Sequence, residues 1–348
     1  MRTVILQTGF LGDVVLSSPL AAALAADDPD GSITMVVTPR MVELAGMIPG
    51  VDAVLAVDKR GADRGPFGLL AAAARLRDAA FDRLLAPHRS TRTALLARLS
   101  KAPRRIGFGG NSGRLCYTTA VPIRTEEPCR LEQDFDLLRA AGVSPAGARP
   151  VLVPGQRTAG EDLPRSLASA ATPRVGICIG SNWPTKVWPV QHVAELCHRL
   201  AGRGISAILF GGPGDRDAEQ RIRAEFAARA AAPGGRRQRP LYSCVGNSIA
   251  EAVGLLAHCD LVIGPDSGLV HAAKAVAGAT MVLYGPTDPR LHHDLDATTK
   301  VHLELPCQPC HRHGPRRCPE GHCGCMQQIS PESVFRLALA ELEAASVR

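Results

Sequence analysis

The feature of this sequence that most constrains its fold is an alternation of continuous apolar runs with longer Ala/Leu-rich segments. Each apolar run is five to seven residues long and is uninterrupted rather than alternating with polar residues. A strand that is apolar on both faces is typical of a parallel sheet covered by helices on both sides. The sequence therefore predicts a doubly wound α/β protein.

This alternation occurs twice, on either side of a Pro/Gly/Ala-rich stretch at 144–173. Strands are predicted at 3–7, 33–38, 53–57, 83–87, 174–179, 206–212, 260–266 and 280–285. Helices are predicted at 14–26, 68–80, 91–100, 190–202, 216–231, 249–257, 268–277 and 331–345. The chain has 348 residues, more than the roughly 250–300 at which a single core stops growing. We therefore expect two Rossmann-like domains, 1–160 and 161–330, followed by a last helix within 331–348.

Composition and charge narrow the class of protein. Apolar residues make up 45% of the chain and charged residues 21%, which is ordinary for a soluble globular protein. No apolar run approaches the ~20 residues that a membrane-spanning helix needs, and the N-terminus lacks a signal-peptide pattern. We expect a cytoplasmic protein. The net charge of +7 favours an anionic partner, which could be a nucleotide, a glycolipid, a membrane surface or nucleic acid.

Polar residues follow the first predicted strand, where ligands bind in such sheets. The stretch "TGFLGDVVLSSP" (8–19) places Gly9, Gly12 and Asp13 at the start of a helix. It contains no G-x-G-x-x-G, so a dinucleotide-binding site is poorly supported. Asp13 is either a helix N-cap or a functional acid.

Three further strand ends carry polar groups. Ser181, Thr185 and Lys186 precede a helix and could cradle a diphosphate, or they lie on a surface loop whose tryptophans cap the sheet. Asp215 follows a glycine-rich turn, where a carboxylate could accept hydrogen bonds from a ribose. Asp266, Ser267, Gly268 and His271 occupy another helix start, where Asp266 could also be a cap. Together the four strand ends predict one ligand-binding cleft.

Five of the eleven cysteines lie between residues 307 and 325, with spacing C-x2-C-x7-C-x4-C-x-C. Four thiolates suit a structural zinc or iron ion, with Cys307, Cys310, Cys318 and Cys323 as its ligands. The alternative is a loop of reduced thiols, since disulfides are rare in the cytoplasm. No proposed phosphate ligand lies in this segment, so we expect any metal there to be structural and unnecessary for nucleotide binding.

Several blocks together resemble the lipopolysaccharide heptosyltransferase family, glycosyltransferase family 9, and most closely its heptosyltransferase II branch. They are "FLGDVVLSSPLAAALAADDPD", "GSNWPTKVWPVQHVAEL", "LFGGPGDRDAE", "GPDSGLVHAAKAVAGATMVLYGPTDP" and "ISPESVFRLALAEL". They cover nearly the whole chain in the family's order. The resemblance implies the GT-B fold, in which two Rossmann-like domains face each other across a cleft and the last helix crosses back to the N-terminal domain. It also implies an inverting transfer that needs no cofactor.

The resemblance assigns roles residue by residue. Asp13 matches the catalytic base, and Gly12 beside it falls in the acceptor site. Lys186 matches the lysine that holds the donor diphosphate, with Thr185 in the same loop. The other positions that match donor-binding residues are Asp215 at the ribose, Asn247 at the adenine, and Asp266, Ser267, Gly268 and His271 at the diphosphate and sugar. The "NWP" before the lysine departs from the small residues of many members.

The expected reaction moves heptose from ADP-L-glycero-D-manno-heptose to a lipid A-core acceptor at the inner membrane face. Arg89 and Arg92 are expected to bind this anionic acceptor, unless they belong to a solvated helix face. A transferase of the same fold that acts on a protein or another glycan is the alternative. A zinc-ribbon nucleic-acid-binding protein would explain the charge and the cysteines but not the four strand ends, so no nucleic-acid partner is expected.

Overall fold

The computed structural model describes residues 1–127, 129–145, 147–154, 167, 169–231, 239–291 and 298–347, without the side chains of 111, 112, 346 and 347. The described chain divides into two compact units, Met1–Val153 and Pro154–Arg348. The predicted boundary at residue 160 lies outside the described residues. Each unit is built on its own sheet.

The first sheet contains six parallel strands in the order β3-β2-β1-β4-β5-β6. The strands are β1 (Arg2–Leu6), β2 (Ser32–Val37), β3 (Ala53–Ala56), β4 (Arg83–Ala86), β5 (Arg104–Phe108) and β6 (Thr119–Val121). Val4, Ile5 and Leu6 are fully buried, as expected for a central strand covered on both faces.

Helices connect these strands and cover the sheet. They are α1 (Leu11–Leu16), α2 (Ser18–Asp27), α3 (Val42–Ala45), α4 (Gly65–Asp78), α5 (Thr91–Leu99) and α6 (Arg130–Ala141). The α5 helix begins at a side-chain cap, because the Ser90 hydroxyl accepts a hydrogen bond from the backbone N–H of Thr93. The α6 helix ends at Gly142 in the left-handed conformation.

The second sheet repeats the strand order of the first. Its strands are β7 (Arg174–Cys178), β8 (Ser206–Phe210), β9 (Tyr242–Ser243), β10 (Leu261–Pro265), β11 (Thr280–Tyr284) and β12 (Thr298–His302). They are parallel and lie in the order β12-β11-β10-β7-β8-β9. In both units the first and fourth strands are neighbours. The first three strands are added towards one edge of the sheet and the last three towards the other, so the strand order reverses between the first and fourth strands. Such a switch point is where ligands bind in open α/β sheets.

The second unit is covered by a further set of helices. They are α7 (Val190–Gly202), α8 (Arg216–Ala230), α9 (Ile249–Leu256), α10 (Gly268–Lys274), α11 (Gly324–Gln327) and α12 (Pro331–Val347). The last helix packs against α7 and contributes Val334, Phe335 and Ala338 to the core of this unit. Its expected crossing to the N-terminal domain stays a prediction. No described helix is both long and apolar enough to cross a bilayer.

Candidate functional site

The switch point of the second sheet holds a buried ion pair. Lys186 lies in a short turn after β7, and Asp266 directly follows β10, the neighbouring strand. The Lys186 Nζ is 2.6 Å from Asp266 Oδ2 and also donates to the Asp266 carbonyl oxygen at 3.2 Å. Both residues are almost completely buried, at 6% and 4% exposure. Because a buried charge is costly without its partner, this pair fixes the position of the ammonium group.

Asp266 binds two further side chains. The Thr287 hydroxyl donates to Asp266 Oδ2 at 2.8 Å, and His271 Nε2 lies 3.0 Å from Asp266 Oδ1. Thr287 comes shortly after β11, so three side chains from three segments meet at one carboxylate. We call Lys186, Asp266, His271 and Thr287 the lysine–aspartate network. The sequence reasoning missed Thr287, although its position after a strand end was a signal.

Ser267 and Gly268 lie where α10 begins, immediately beyond this network. The Ser267 hydroxyl is buried, and it has no hydrogen-bond partner among the residues that the structure describes. An unsatisfied buried hydroxyl is unusual in a protein, and a ligand bound at this position would give it a partner. Ser267 directly follows Asp266 of the ion pair, so an anion bound at Lys186 could accept a hydrogen bond from the Ser267 hydroxyl.

Asp215 lies at the ends of β7 and β8, where glycines make room for it. A Cβ added at Gly180 would lie 2.2 Å from Asp215 Oδ2, and one added at Gly211 would lie 2.9 Å away. The carboxylate accepts a hydrogen bond from the N–H of Gly212 at 2.8 Å. A larger residue at either strand end would displace this acid.

Asn247 and Ser181 lie near the same strand ends. Asn247 follows Gly246, whose N–H donates to the Gly211 carbonyl at 3.0 Å. The Ser181 hydroxyl accepts from the Trp183 N–H at 3.2 Å. The second unit therefore collects all the predicted donor-binding residues along the carboxyl edge of one sheet.

The two tryptophans that flank Lys186 have different surroundings. Trp188 is 3% exposed and lies in the core, where its indole N–H donates to the Ile329 carbonyl at 3.1 Å. Trp183 is half-buried, with its ring centroid 6.2 Å from that of His311 in the cysteine-rich segment. Trp188 therefore anchors the chain that leads to the last helix, and Trp183 packs beside the cysteine-rich segment.

The cysteine-rich segment, residues 307–326, brings its five thiols to one small pocket, lined by Cys307, Cys310, Cys318, Cys323 and Cys325. Burial, together with the nearby thiols of Cys310 and Cys307, raises the pKa of the Cys325 thiol to about 11. Soft sulfur ligands suit zinc or iron. Within the described ranges, however, no group of three or more His, Cys, Asp or Glu side chains is arranged to hold an ion.

In the first unit, Asp13 is the third residue of α1. Its Oδ2 accepts from the Phe10 N–H at 2.9 Å, and a Cβ added at Gly9 would lie 2.5 Å from the same oxygen. Gly12 precedes it in the helix. Asp13 thus makes the capping contact and also lies at the carboxyl end of β1, one of the two strands that form the switch point.

Lys59 and His88 lie near Asp13, and the sequence reasoning missed both. Lys59 Nζ donates to the Thr8 carbonyl at 2.6 Å, and the Thr8 hydroxyl is 3.1 Å from His88 Nδ1. Burial lowers the pKa of Lys59, the charge of Arg60 lowers it further, and the charge of Asp13 opposes both. Burial lowers the pKa of His88 to about 4, with Lys59 adding to the effect. Each residue shortly follows a strand, and that position was the signal.

Arg89 and Arg92 differ in their contacts. The Arg89 guanidinium lies 3.9 Å from the centroid of the Phe108 ring and donates to the side-chain oxygen of Gln133. Arg92 donates to the carbonyl oxygens of Asp63 and Gly65. The side chains are therefore tied into the fold and do not form a freely solvated helix face.

Comparison with known proteins identifies the family. The family model described as "Glycosyltransferase family 9 (heptosyltransferase)" matches residues 69–319. Lipopolysaccharide heptosyltransferase 2 of Salmonella typhimurium strain LT2 is 28% identical over 322 residues, which are 86% of this chain and 87% of that protein.

Two solved structures share the fold. A family 9 glycosyltransferase from Veillonella parvula superposes with a TM-score of 0.85 at 22% identity, covering 99% of this chain and 97% of the other. The iron-containing dodecameric glycosyltransferase TibC from enterotoxigenic Escherichia coli superposes with a TM-score of 0.61 at 17% identity, covering 99% of this chain and 76% of TibC. The predicted α/β fold of two Rossmann-like domains, the GT-B class, is confirmed. The chain belongs to glycosyltransferase family 9, the heptosyltransferase family, and is a glycosyltransferase.

Proposed function

We propose that this enzyme transfers heptose from ADP-L-glycero-D-manno-heptose to the inner core of lipopolysaccharide, as a heptosyltransferase II. The observation that carries the proposal is the lysine–aspartate network at the switch point of the second sheet, together with the open hydroxyl of Ser267. Relatives over most of the chain length are lipopolysaccharide heptosyltransferases. The proposal therefore has support from both the site and the sequence.

The donor occupies the carboxyl edge of the second sheet in this proposal. Lys186 contacts the diphosphate, and Ser267 and the backbone of Gly268 donate to its oxygens. Asp215 accepts from the ribose hydroxyls, Asn247 and Ser181 line the nucleoside side, and His271 faces the sugar. Asp266 has a different task. Its carboxylate already accepts from Lys186 and Thr287, so it positions the lysine.

The reaction forms one bond and breaks one. The acceptor hydroxyl oxygen attacks the anomeric carbon of the heptose, and its proton passes to the Asp13 carboxylate. The bond between that carbon and the diphosphate oxygen breaks on the opposite face, so the anomeric configuration inverts. ADP leaves with an added negative charge, which Lys186 and the donors of Ser267 and Gly268 stabilise. These residues carry out the transfer without a cofactor.

The acceptor lies at the switch point of the first sheet, beside Asp13 and Gly12. Lys59 is a cation held there by the Thr8 carbonyl, and it supplies charge for an anionic core sugar. We propose that Arg89 and Arg92 contribute in the same region. Their contacts with Phe108 and with the backbone pre-organise both guanidinium groups, which reduces the entropy lost on binding.

We propose that Cys307, Cys310, Cys318 and Cys323 bind a structural zinc or iron ion. Support comes from their common pocket and from the sulfur ligands that both metals accept. The relative TibC contains iron. The ion would take the place of an apolar core in this Gly/Pro/Arg-rich segment. Cys325 is the spare thiol.

The enzyme works in the cytoplasm at the inner membrane face in this proposal. Support for a membrane location comes from exposed residues of the first unit, which we call the apolar–basic face. They are Phe67, Leu70, Leu95 and Leu115, with arginines 64, 98 and 114. Phe67 is 86% exposed and Leu115 is 89% exposed. The three helical segments that carry them are neighbours, because α5 packs against both α4 and the turn at 111–116. Exposed Phe and Leu with flanking arginines suit the surface of an anionic bilayer.

The proposed function is tested by mass spectrometry of the product. Purified enzyme is incubated with ADP-heptose and either a core acceptor that ends in Kdo or one that ends in a single heptose. We expect one heptosyl residue to be added to the second acceptor. Addition to the Kdo-terminated acceptor alone would instead indicate a heptosyltransferase I. Transfer to a protein but to neither core acceptor would contradict the proposal.

A further inference from the structure

The cysteine-rich segment contacts the donor loop directly. The Thr185 hydroxyl donates to the Pro315 carbonyl at 2.6 Å. Gly314, which precedes this proline, is buried, and its backbone φ is +90°. A Cβ added there would lie 3.0 Å from Lys186 Cε and 3.1 Å from Trp183 Cβ. The backbone of the segment therefore packs against the stem of the lysine that we assign to the diphosphate.

The same segment also contacts the other side of the lysine–aspartate network. The N–H groups of Cys310 and His311 donate to the Pro286 carbonyl at 3.0 and 3.1 Å. The Gln308 side chain donates to the Gly285 carbonyl at 2.7 Å. These two acceptors immediately precede Thr287, which donates to Asp266. The segment thus bridges the loop that carries Lys186 and the turn that carries Thr287.

We infer that residues 307–326 are a positioning element for donor binding, in which Gly314 and Pro315 fix the Lys186 side chain against Asp266. The inference rests on the proposed donor site. Lysine has four rotatable side-chain bonds, and ordering them on binding costs conformational entropy. A segment that packs along the stem removes that freedom before the nucleotide arrives. The assignment gives the cysteine-rich segment a role in donor affinity.

The segment offers a matched pair of glycines for the test. Gly314 and Gly321 both have positive φ, +90° and +75°, so alanine causes comparable backbone strain at the two positions. A Cβ at Gly321 would have no atom within 4 Å among the residues that the structure describes, whereas a Cβ at Gly314 would press on Lys186. Comparing Gly314→Ala with Gly321→Ala therefore separates the packing against Lys186 and Trp183 from the backbone strain.

Calorimetric titration with ADP measures the effect. We expect Gly314→Ala to bind ADP about tenfold more weakly than Gly321→Ala, because displacing a binding group by a fraction of an ångström has large effects. Thermal melts should show both variants folded at the temperature of the titration. In steady-state assays, the donor KM should rise in Gly314→Ala while the acceptor KM stays the same. Equal ADP affinity in the two variants would overturn the inference.

Two further variants complete the test. Lys186→Ala examines the donor site itself: unchanged ADP affinity in this variant would overturn the donor assignment and the inference with it. Weaker binding in Lys186→Ala but equal binding in the two glycine variants would overturn the inference alone. If Gly314→Ala does not fold, Gln308→Ala replaces it, since this change removes the segment's hydrogen bond to the Gly285 carbonyl without touching Lys186. Gln308→Ala should then also weaken ADP binding, and wild-type affinity would contradict the inference.

Discussion

At the scale of single residues, Asp13 both caps a helix and serves as the proposed base. The Asp13→Asn variant keeps an oxygen that can accept from the Phe10 N–H, so α1 should be preserved. It cannot accept a proton, and we expect turnover to fall about 10²-fold or more while ADP affinity changes by less than about twofold. Steady-state kinetics and calorimetry measure the two effects. A kcat close to that of the wild type would leave Asp13 with only its capping role.

His88 predicts how stability depends on pH. Its folded pKa of about 4 lies below the usual 6.5, so protons bind the unfolded chain more readily. Stability is therefore lost as the pH falls from about 6.5 towards 4. At pH 5 the loss from this group is about 2 kcal/mol.

The His88→Gln variant keeps a hydrogen-bonding side chain near Thr8 and Thr93 but cannot be protonated. Between pH 7 and pH 5, its melting temperature should fall less than that of the wild type. The comparison cancels other groups that titrate in this range, such as Asp134, whose pKa burial raises to about 6. An equal fall in melting temperature for the two proteins would refute the lowered pKa of His88.

The residues at the site could be predicted only where a local pattern marked them. Lys186, Asp215 and Asp266 stand beside glycines, prolines and helix starts, which are visible in the sequence. The positions of Thr287 and Lys59 after strands are visible in the sequence, but their partners, Asp266 and the Thr8 carbonyl, lie in distant parts of the chain. Such contacts depend on sheet order, which a local pattern does not determine.

At the scale of elements, all eight predicted strands are present, but the structure contains four more. The strands that were missed are β5, β6, β9 and β12, with sequences RRIGF, TAV, YS and TTKVH. Three of them form edges of the sheets. Edge strands are short and tolerate charged or polar residues, and β5 opens with two arginines. A continuous apolar run therefore predicts central strands but not short or polar strands such as these four.

The cysteine-rich segment allows a prediction about metal content. If its four thiolates bind one ion, elemental analysis should find about one zinc or iron per chain. Replacing both Cys318 and Cys323 by serine should abolish this content and lower the melting temperature. Cys129→Ser, which removes a thiol of the first unit, should keep the metal. Wild-type protein without either metal would disprove the site.

At the scale of the whole molecule, the apolar–basic face predicts membrane binding. Phe67→Ser with Leu115→Ser should reduce binding to vesicles of phosphatidylglycerol and phosphatidylethanolamine about tenfold or more, because both side chains lose apolar area that the bilayer would bury. Leu337→Ser is the control, since this leucine is 40% exposed in the second unit. Co-sedimentation measures the binding. The proposed face would be wrong if the double variant and the control sedimented equally.

The repeated strand order has a consequence for synthesis on the ribosome. All six strands of the first sheet precede residue 122, and all six strands of the second follow residue 173. Among the described residues, each sheet is built only from strands of its own half of the chain. The first unit can therefore fold while the second is still being translated, a delay of roughly 10–40 s at bacterial elongation rates. Its six strands can thus pair with one another before the competing strands of the second unit emerge.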